Sequence, residues 1–247
     1  MNNIERIKKL RQETGLSMAL IKDAVEKEAT YDEALDYLKQ YRQEDKHDQV
    51  GKKGMVVTKY KDNVAILYEV NAMTDFVNTH PAFKTFVESL GDLLLAHPKI
   101  SLEDIAELHM GDSTVEDHLV KLETLIGEHV KISRFESVMK TDAQIFGFYE
   151  HFNHKSATIV IIEGGEKQHA ETLAKQITAI GVLYPIWKKT VIDQILASTL
   201  FGQEMTVENY LNEVHATLVY TSRYELGEAM TEHLSCSLLS KEACHLS

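Results

Sequence analysis

The sequence predicts an α+β protein, in which a small helical head precedes a body of two similar units that each combine a sheet with helices. Apolar residues recur at helical spacing through residues 1–40, and a polar, aperiodic stretch follows. The remainder passes twice through a pair of strands, a helix and a later strand. With 247 residues, the chain is long enough for one large domain or for several small ones.

Three apolar stripes in residues 1–40 predict three helices, which are too short to be stable singly and should therefore pack as a bundle. The stripes consist of Ile4, Ile7 and Leu10, then Met18, Ile21, Ala24 and Val25, then Ala34, Leu35 and Leu38. Helix ends are indicated by Gly15 after the first stripe, by Ser17 before the second and by the Thr-x-x-Glu pattern of residues 30–33. Residues 41–54 lack this periodicity and predict a linker.

Residues 55–140 form the first unit of the predicted body, and residues 141–228 form the second. The first unit is expected to contain strands over residues 55–60 and 64–71, a helix beginning at Pro81, connecting helices beginning at residues 101–104 and 114–117, and a strand over residues 130–138. The second is expected to contain strands over residues 144–151 and 157–162, a helix that Gly181 ends, one helix within residues 185–198, a short helix from Thr206 to Leu211, and a strand over residues 216–226. Residues 229–247 have a weak pattern, and we expect them to fray.

Composition disfavours several classes of function. Acidic side chains outnumber basic ones by 38 to 26, which gives a net charge of −12, whereas sequence-independent binding of nucleic acid needs clustered Lys and Arg. No run approaches the ~20 apolar residues of a membrane helix. The two cysteines, Cys236 and Cys244, lie near the C-terminus and predict a reducing compartment. Because the N-terminus shows no secretion or import pattern, we expect a cytoplasmic protein.

No residue pattern predicts catalysis, a cofactor or a metal. Gly164-Gly165 lacks the Lys-Ser/Thr that would follow in a nucleotide-binding loop, and no Gly-x-Ser-x-Gly nucleophile motif is present. Four residues near the C-terminus, His233, Cys236, Cys244 and His245, have a spacing that fits no standard zinc pattern. An enzymatic interpretation therefore has no group of side chains to support it.

The segment of residues 69–77 ends a predicted strand and enters the turn before the Pro81 helix. The pattern alone favours a structural role, in which Phe76 and Val77 pack under that helix and Asp75 caps a turn through its own side chain. A functional role for this strand end stays open on the pattern alone.

Five motifs, which follow one another along residues 4–228, resemble those of the elongation factor Ts family. They are Leu10-Arg11-Gln12-Glu13-Thr14-Gly15 with Met18 and Ala24-Val25, Glu69-Val70-Asn71 followed by Thr74-Asp75-Phe76-Val77, Ile126-Gly127-Glu128-His129-Val130-Lys131-Ile132, Tyr149-Glu150-His151 with Ile159-Val160-Ile161-Ile162-Glu163, and Arg223-Tyr224-Glu225-Leu226-Gly227-Glu228. The shared order favours a family relationship over chance similarity.

The resemblance implies a ubiquitin-associated-like head and a guanine-nucleotide exchange factor that binds the GDP form of the GTPase elongation factor Tu. It implies that Asp75 and Phe76, flanked by Thr74 and Val77, insert near the nucleotide and magnesium site of that partner. Other expected partner contacts are Leu10, Met18 and His151. We expect no enzymatic activity, cofactor or metal, and no direct binding of nucleotide, nucleic acid or membrane, and the oligomeric state stays open.

The sequence departs from the family pattern at three places. Ala72 and Met73 stand where the family favours Cys and an acid or amide, and Asn78-Thr79 stands where Ala and a basic residue are common. Residues 185–198 have room for one helix, whereas many members insert an antiparallel coiled coil there. These departures leave an alternative open, in which the protein is an adaptor that docks on elongation factor Tu or on a ubiquitin-like surface without promoting exchange.

Overall fold

The computed structural model describes residues 2–14, 18–38, 53–183, 190–228 and 235–237. The helices are α1 (Asn3–Thr14), α2 (Met18–Lys27), α3 (residues 31–38), α4 (Pro81–Ala96), α5 (Val115–Ile126), α6 (Lys167–Leu183), α7 (Thr190–Ala197) and α8 (Val207–Glu213). The strands are β1 (Lys53–Lys61), β2 (Val64–Ala72), β3 (His109–Met110), β4 (Ser113–Thr114), β5 (Val130–Met139), β6 (Gln144–Glu150), β7 (Ser156–Gly164), β8 (Ala216–Glu225) and β9 (Ser235–Ser237). Two 3-10 helices span Asp75–Thr79 and Glu103–Glu107. Within these ranges, every helix is too short or too polar to cross a membrane.

Helices α1, α2 and α3 pack around a small apolar core that contains Leu10, Ile21, Ala24, Val25, Ala34 and Leu38. The predicted capping box is confirmed, because Thr30 N donates to Glu33 Oε2 at 2.9 Å and Glu33 N donates to Thr30 Oγ1 at 3.2 Å. Arg6 is buried, and its Nη2 donates to the carbonyl oxygens of Glu28 and Thr30 at 2.8 and 2.6 Å. This side chain therefore ties α1 to the turn between the other two helices.

Two predictions for the head and the linker are corrected. The side chain of Ile4 is 68% exposed, because the core begins one turn further along α1, at Ile7. Lys53 and Gly54 belong to β1 instead of the predicted linker. The proposed helix ends at Gly15 and Ser17 and the remaining linker residues lie outside the described residues.

The described part of the body contains two larger antiparallel sheets, of three and four strands, and a two-stranded sheet formed by β3 and β4. In the first sheet the strand order is β1-β2-β5, and in the second it is β6-β7-β8-β9. The register of β1 on β2 places Lys53 opposite Ala72 at one end and Lys61 opposite Val64 at the other. Each sheet is backed by its own helices, which confirms the predicted α+β class with two sheet-and-helix units.

The two sheets pack face to face, so the body has four layers in the order helix, sheet, sheet, helix. The core between the sheets includes Val56, Ala65 and Leu67 of the first sheet and Phe146, Ala157, Ile159 and Ile161 of the second. The outer face of the first sheet packs on α4 and α5, and that of the second packs on α6, α7 and α8.

Strand β2 shows why the central strands are almost continuously apolar. Ala65 and Leu67 face the second sheet, whereas Ile66, Tyr68 and Val70 pack beneath the helices. Successive side chains of a strand point to opposite faces, and here both faces are buried. The strand therefore shows no alternation of apolar and polar residues up to Tyr68, and its two polar residues, Glu69 and Asn71, are themselves buried.

The structure corrects two predicted helices and confirms a third. Helix α6 does not end at Gly181 but continues to Leu183. The glycine makes room for the guanidinium of Arg223, which a Cβ at this position would overlap. Residues 101–104 lead into the 3-10 helix Glu103–Glu107 instead of an α-helix. The predicted start of α8 is confirmed, since Thr206 Oγ1 accepts a hydrogen bond from Asn209 N at 3.2 Å.

Helix α5 begins with a capping box that permits a local test of stability. Asp117 N donates to Thr114 Oγ1 at 3.2 Å, and Thr114 N donates to Asp117 Oδ2 at 3.1 Å. We expect Thr114→Ala to lower the free energy of unfolding by about 1 kcal/mol in urea denaturation. Thr124→Ala, which removes only an exposed hydrogen bond to Val120 O, is the control and should cost less than ~0.5 kcal/mol. Equal losses in the two variants would contradict the capping role.

Candidate partner-binding surface

The segment between β2 and α4 is anchored at both ends. Its 3-10 helix, Asp75–Thr79, follows Thr74, whose backbone N and Oγ1 donate to the carboxylate of Glu128 at 3.0 and 2.6 Å. Near the other end, Asn78 Nδ2 donates to Gly54 O at 2.8 Å. The residues between these anchors are therefore held in one arrangement relative to the first sheet.

Two adjacent apolar residues of this segment point in opposite directions. The side chain of Phe76 is 83% exposed, whereas that of Val77 is 3% exposed and packs in the core beneath α4. The structural interpretation of the pattern is thus correct for Val77 and wrong for Phe76. Because burying an aromatic side chain is strongly favourable, the exposed ring of Phe76, with the 40% exposed Met73 three residues before it, offers apolar area that a partner could bury.

Asp75 lies beside two lysines and does not cap a turn. Its Oδ2 is 2.9 Å from Lys53 Nζ and 3.9 Å from Lys155 Nζ. The hydrogen bond from Lys53 lowers the pKa of Asp75, and the positive charge of Lys155 lowers it further. The N-cap of the 3-10 helix is Thr74, whose side chain makes no capping hydrogen bond. Asp75 is therefore a charged side chain next to the exposed ring.

The turn between β6 and β7 supplies a second exposed aromatic ring. Phe152 is 87% exposed, and its ring centroid lies 4.4 Å from that of His151. Asn153 Oδ1 lies 2.8 Å from His151 Nδ1 and accepts a hydrogen bond from Lys155 N at 3.0 Å. His154 O accepts a hydrogen bond from a backbone N of β1 at 2.8 Å, which fixes the turn against the first sheet.

These two turns lie side by side, since Lys155 of the second reaches Asp75 of the first. Together they present exposed or half-exposed side chains of both sheets, with an acid between apolar groups. We call this surface the docking face and define it by Met73, Asp75, Phe76, His151 and Phe152. The arrangement has the form of an aromatic binding surface, in which rigid rings supply contact area.

The remaining predicted contact residues lie elsewhere. Leu10 is fully buried in the core of the head. Met18 is the first residue of α2, and its side chain lies outside the described part of the chain. Sequence reasoning missed Phe152 and Lys155. Phe152 carried a usable signal, since it is an aromatic residue in an otherwise polar turn.

The docking face offers apolar contact area and charge. In the parts of the chain that the structure describes, no cluster of three or more His, Cys, Asp or Glu side chains is placed to hold a metal ion. The titratable groups of this surface are Asp75 and His151, and Asp75 is engaged by the two lysines.

The two lysines permit a test of the electrostatics at Asp75. We expect Lys53→Met to raise the pKa of Asp75 toward its ordinary value, because the substitution removes the hydrogen bond that lowers it most. Lys155→Met should give a smaller rise, since its Nζ is 3.9 Å away. Carbon-detected NMR titration of the Asp75 carboxyl would measure both shifts. A larger shift for Lys155→Met would contradict this geometry.

The sequence of this chain is similar to those of known proteins. Residues 73–199, which include the 3-10 helix Asp75–Thr79 and parts of both larger sheets, match the family model described as Elongation factor TS. Elongation factor Ts of Phytoplasma australiense is 29% identical over 213 residues, which cover 85% of this chain and 77% of that protein. Elongation factor Ts of Lactiplantibacillus plantarum is 29% identical over 212 residues, covering 84% and 71% respectively, and that of Levilactobacillus brevis is 32% identical over 180 residues, covering 71% and 61%. The chain belongs to the elongation factor Ts family of translation elongation factors.

Proposed function

We propose that this protein is a guanine-nucleotide exchange factor that binds elongation factor Tu and promotes the release of GDP. The observation that carries the proposal is the exposure of Phe76, an aromatic ring beside an acid on an anchored backbone. Membership of the family supports the choice of partner, because its members are named as translation elongation factors.

Such a function needs no catalytic side chain. A GTPase holds GDP through backbone amides around the phosphates and through a magnesium ion. An exchange factor has only to bind the nucleotide-free GTPase more tightly than the GDP form, and the coupling is reciprocal, so that each ligand weakens the other equally. In this proposal Phe76 enters the partner beside the nucleotide site, while Asp75 repels phosphate or competes for the groups that hold magnesium.

The free energy of burying one Phe side chain limits how much of the shift in GDP affinity Phe76 alone can supply. Burying one Phe side chain contributes roughly 1.5–3 kcal/mol. At about 1.4 kcal/mol per tenfold change, that corresponds to about one or two decades of affinity. A larger shift in GDP affinity requires additional contacts, for which the docking face offers His151 and Phe152.

The predicted site residues outside the docking face have other roles in this proposal. Val77 anchors the segment to the core beneath α4, and Leu10 shapes the head from inside. Thr74 fixes the start of the 3-10 helix through Glu128. Met18 remains a candidate contact on the head.

We also propose that the chain is divided largely as its sequence suggests. The head comprises residues 1–40, the linker residues 41–52, and the two units of the body residues 53–140 and 141–228, with Lys53 and Gly54 in the body because they belong to β1. The tail comprises residues 229–247, of which Ser235–Ser237 pair with β8. The separate apolar core of the head and the separate helix layers of the two sheets support this division.

Stopped-flow release of a fluorescent GDP analogue from elongation factor Tu, with and without this protein, tests the proposal. We expect the release rate to rise with the concentration of the protein and then to saturate. An unchanged rate, together with binding in a pull-down, would instead support the adaptor. If the protein neither accelerates release nor binds in the pull-down, both the exchange function and the adaptor function are contradicted.

A further inference from the structure

A cluster of charged side chains, three of them buried and two partly exposed, joins the two sheets near the docking face. Glu69 of β2 is 1% exposed, and Arg134 of β5 and Arg223 of β8 are also buried. Glu225 and Glu228, at and after the end of β8, complete the group, which we call the charge cluster. Buried charges are tolerated only when they are paired and hydrogen-bonded, so these contacts define one arrangement of the surrounding strands.

Glu69 is the centre of the charge cluster on the side of the first sheet. Its Oε2 accepts a hydrogen bond from Arg134 Nε at 2.6 Å. Its Oε1 accepts from Asn71 Nδ2 at 2.7 Å and from Gly227 N at 2.8 Å. One carboxylate thus connects β2, β5 and the segment that follows β8.

The two arginines complete the connection across the sheets. Arg134 Nη2 donates to Glu225 O at 2.6 Å, and Arg134 Nη1 lies 3.4 Å from Glu228 Oε2. Arg223 Nη1 donates to Glu228 Oε1 at 3.0 Å, and its Nη2 pairs with the Glu225 carboxylate. Glu228 therefore bridges an arginine of the first sheet and an arginine of the second.

Both turns of the docking face are attached to this cluster within a few residues. Asn71, which donates to Glu69, also donates to Lys53 O at 3.2 Å, and Lys53 in turn holds Asp75. On the other side, Leu226 N, next to Glu225, donates to Lys155 O at 2.7 Å. The charge cluster is therefore connected through hydrogen bonds both to the backbone that leads to Phe76 and to the turn that carries Phe152.

We infer that the charge cluster is a positioning device, which holds the two turns of the docking face at the separation at which both contact the GTPase. This inference rests on the proposed exchange function. It explains the choice of ions over apolar residues, since replacing a buried ion pair by well-packed apolar side chains is often neutral or stabilising. Apolar side chains, however, make no directional hydrogen bonds, and such bonds are what fix β2 against the end of β8.

The test compares three substitutions that each remove one carboxylate charge. Glu69→Gln and Glu228→Gln alter the charge cluster, and Glu228 is partly exposed, so its variant should fold. Glu136→Gln is the matched control, because Glu136 also crosses between the sheets but accepts hydrogen bonds from Tyr220 and Ser222, and it bonds to neither turn. Circular dichroism melts establish that each variant is folded at the temperature of the assay.

GDP release from elongation factor Tu is measured as a function of the concentration of each variant. We expect the two cluster variants to lower the maximal release rate about tenfold, with a half-saturating concentration within about twofold of the wild type, because small misplacements of a contact group are sufficient for such losses. Glu136→Gln should melt at a lower temperature and keep both kinetic values.

A second readout separates positioning from partial unfolding. Adding Glu228→Gln to the Phe76→Ala variant should lower the rate by less than a further threefold or so, because a positioning residue has little left to position once the ring is removed, so the two losses are not additive. Full additivity, or a normal maximal rate in folded Glu228→Gln, would overturn the inference while leaving the proposed function intact. If the wild type itself fails to accelerate release, both the function and the inference are wrong.

Discussion

We expect Phe76→Ala to lower the maximal rate of GDP release from elongation factor Tu by about ten- to one-hundredfold. The estimate follows from the roughly 1.5–3 kcal/mol that burial of a Phe side chain contributes, if that contact forms mainly with the nucleotide-free partner. Because the ring is 83% exposed in the free protein, its removal should change the free energy of unfolding by less than ~0.5 kcal/mol. Stopped-flow release and urea denaturation measure the two quantities.

Met139→Ala provides the control for this experiment. Met139 is another exposed apolar residue, but its strand register places it opposite Val64, at the end of β2 that lies away from Ala72 and the 3-10 helix Asp75–Thr79. The control should leave the rate of GDP release unchanged. Equal losses from Phe76→Ala and Met139→Ala would mean that general surface apolarity, and not an inserted ring, drives exchange.

The fold was predictable to the level of elements, because the signals for helices and strands are local. The apolar runs of β2 and β7 predicted strands with nearly correct limits. Their packing was not predictable, since Ala65 and Ile66 are both apolar and only the assembled structure shows which one faces the other sheet. Gly181 is a similar case. A glycine is required there because the side chain of Arg223, which is distant in sequence, packs against it, and a local pattern cannot distinguish such close packing from a helix end.

The candidate site was predictable only in part, and for the same reason. The pattern treats Phe76 and Val77 alike, and the anchors that separate them are Glu128 and Gly54, which are remote in sequence. The resemblance to the family identified Phe76, but it did not identify Phe152, which belongs to the other sheet. Their proximity depends on the ion pair between Asp75 and Lys155 and on how the sheets pack.

We expect Arg134→Met to lower the free energy of unfolding by about 3–5 kcal/mol, which is a large share of the ~5–15 kcal/mol typical of a folded protein. The substitution leaves the carboxylate of Glu69 buried at 1% exposure without its charge partner. It also leaves Glu225 O without the hydrogen bond that Arg134 Nη2 donates at 2.6 Å. Urea denaturation followed by circular dichroism measures the loss.

The double variant Glu69→Leu/Arg134→Met distinguishes an orphaned charge from lost packing. If the buried carboxylate is the cause, the double variant should be more stable than Arg134→Met alone, because Glu69→Leu removes the carboxylate that Arg134→Met leaves unpaired. Additive losses would show that packing around the guanidinium, including its contact with the Tyr224 ring at 4.0 Å, dominates instead. A double variant that regains stability but still accelerates GDP release from elongation factor Tu only weakly would separate the stabilising role of these residues from their positioning role. Apolar side chains would then hold the sheets together without holding the two turns in place.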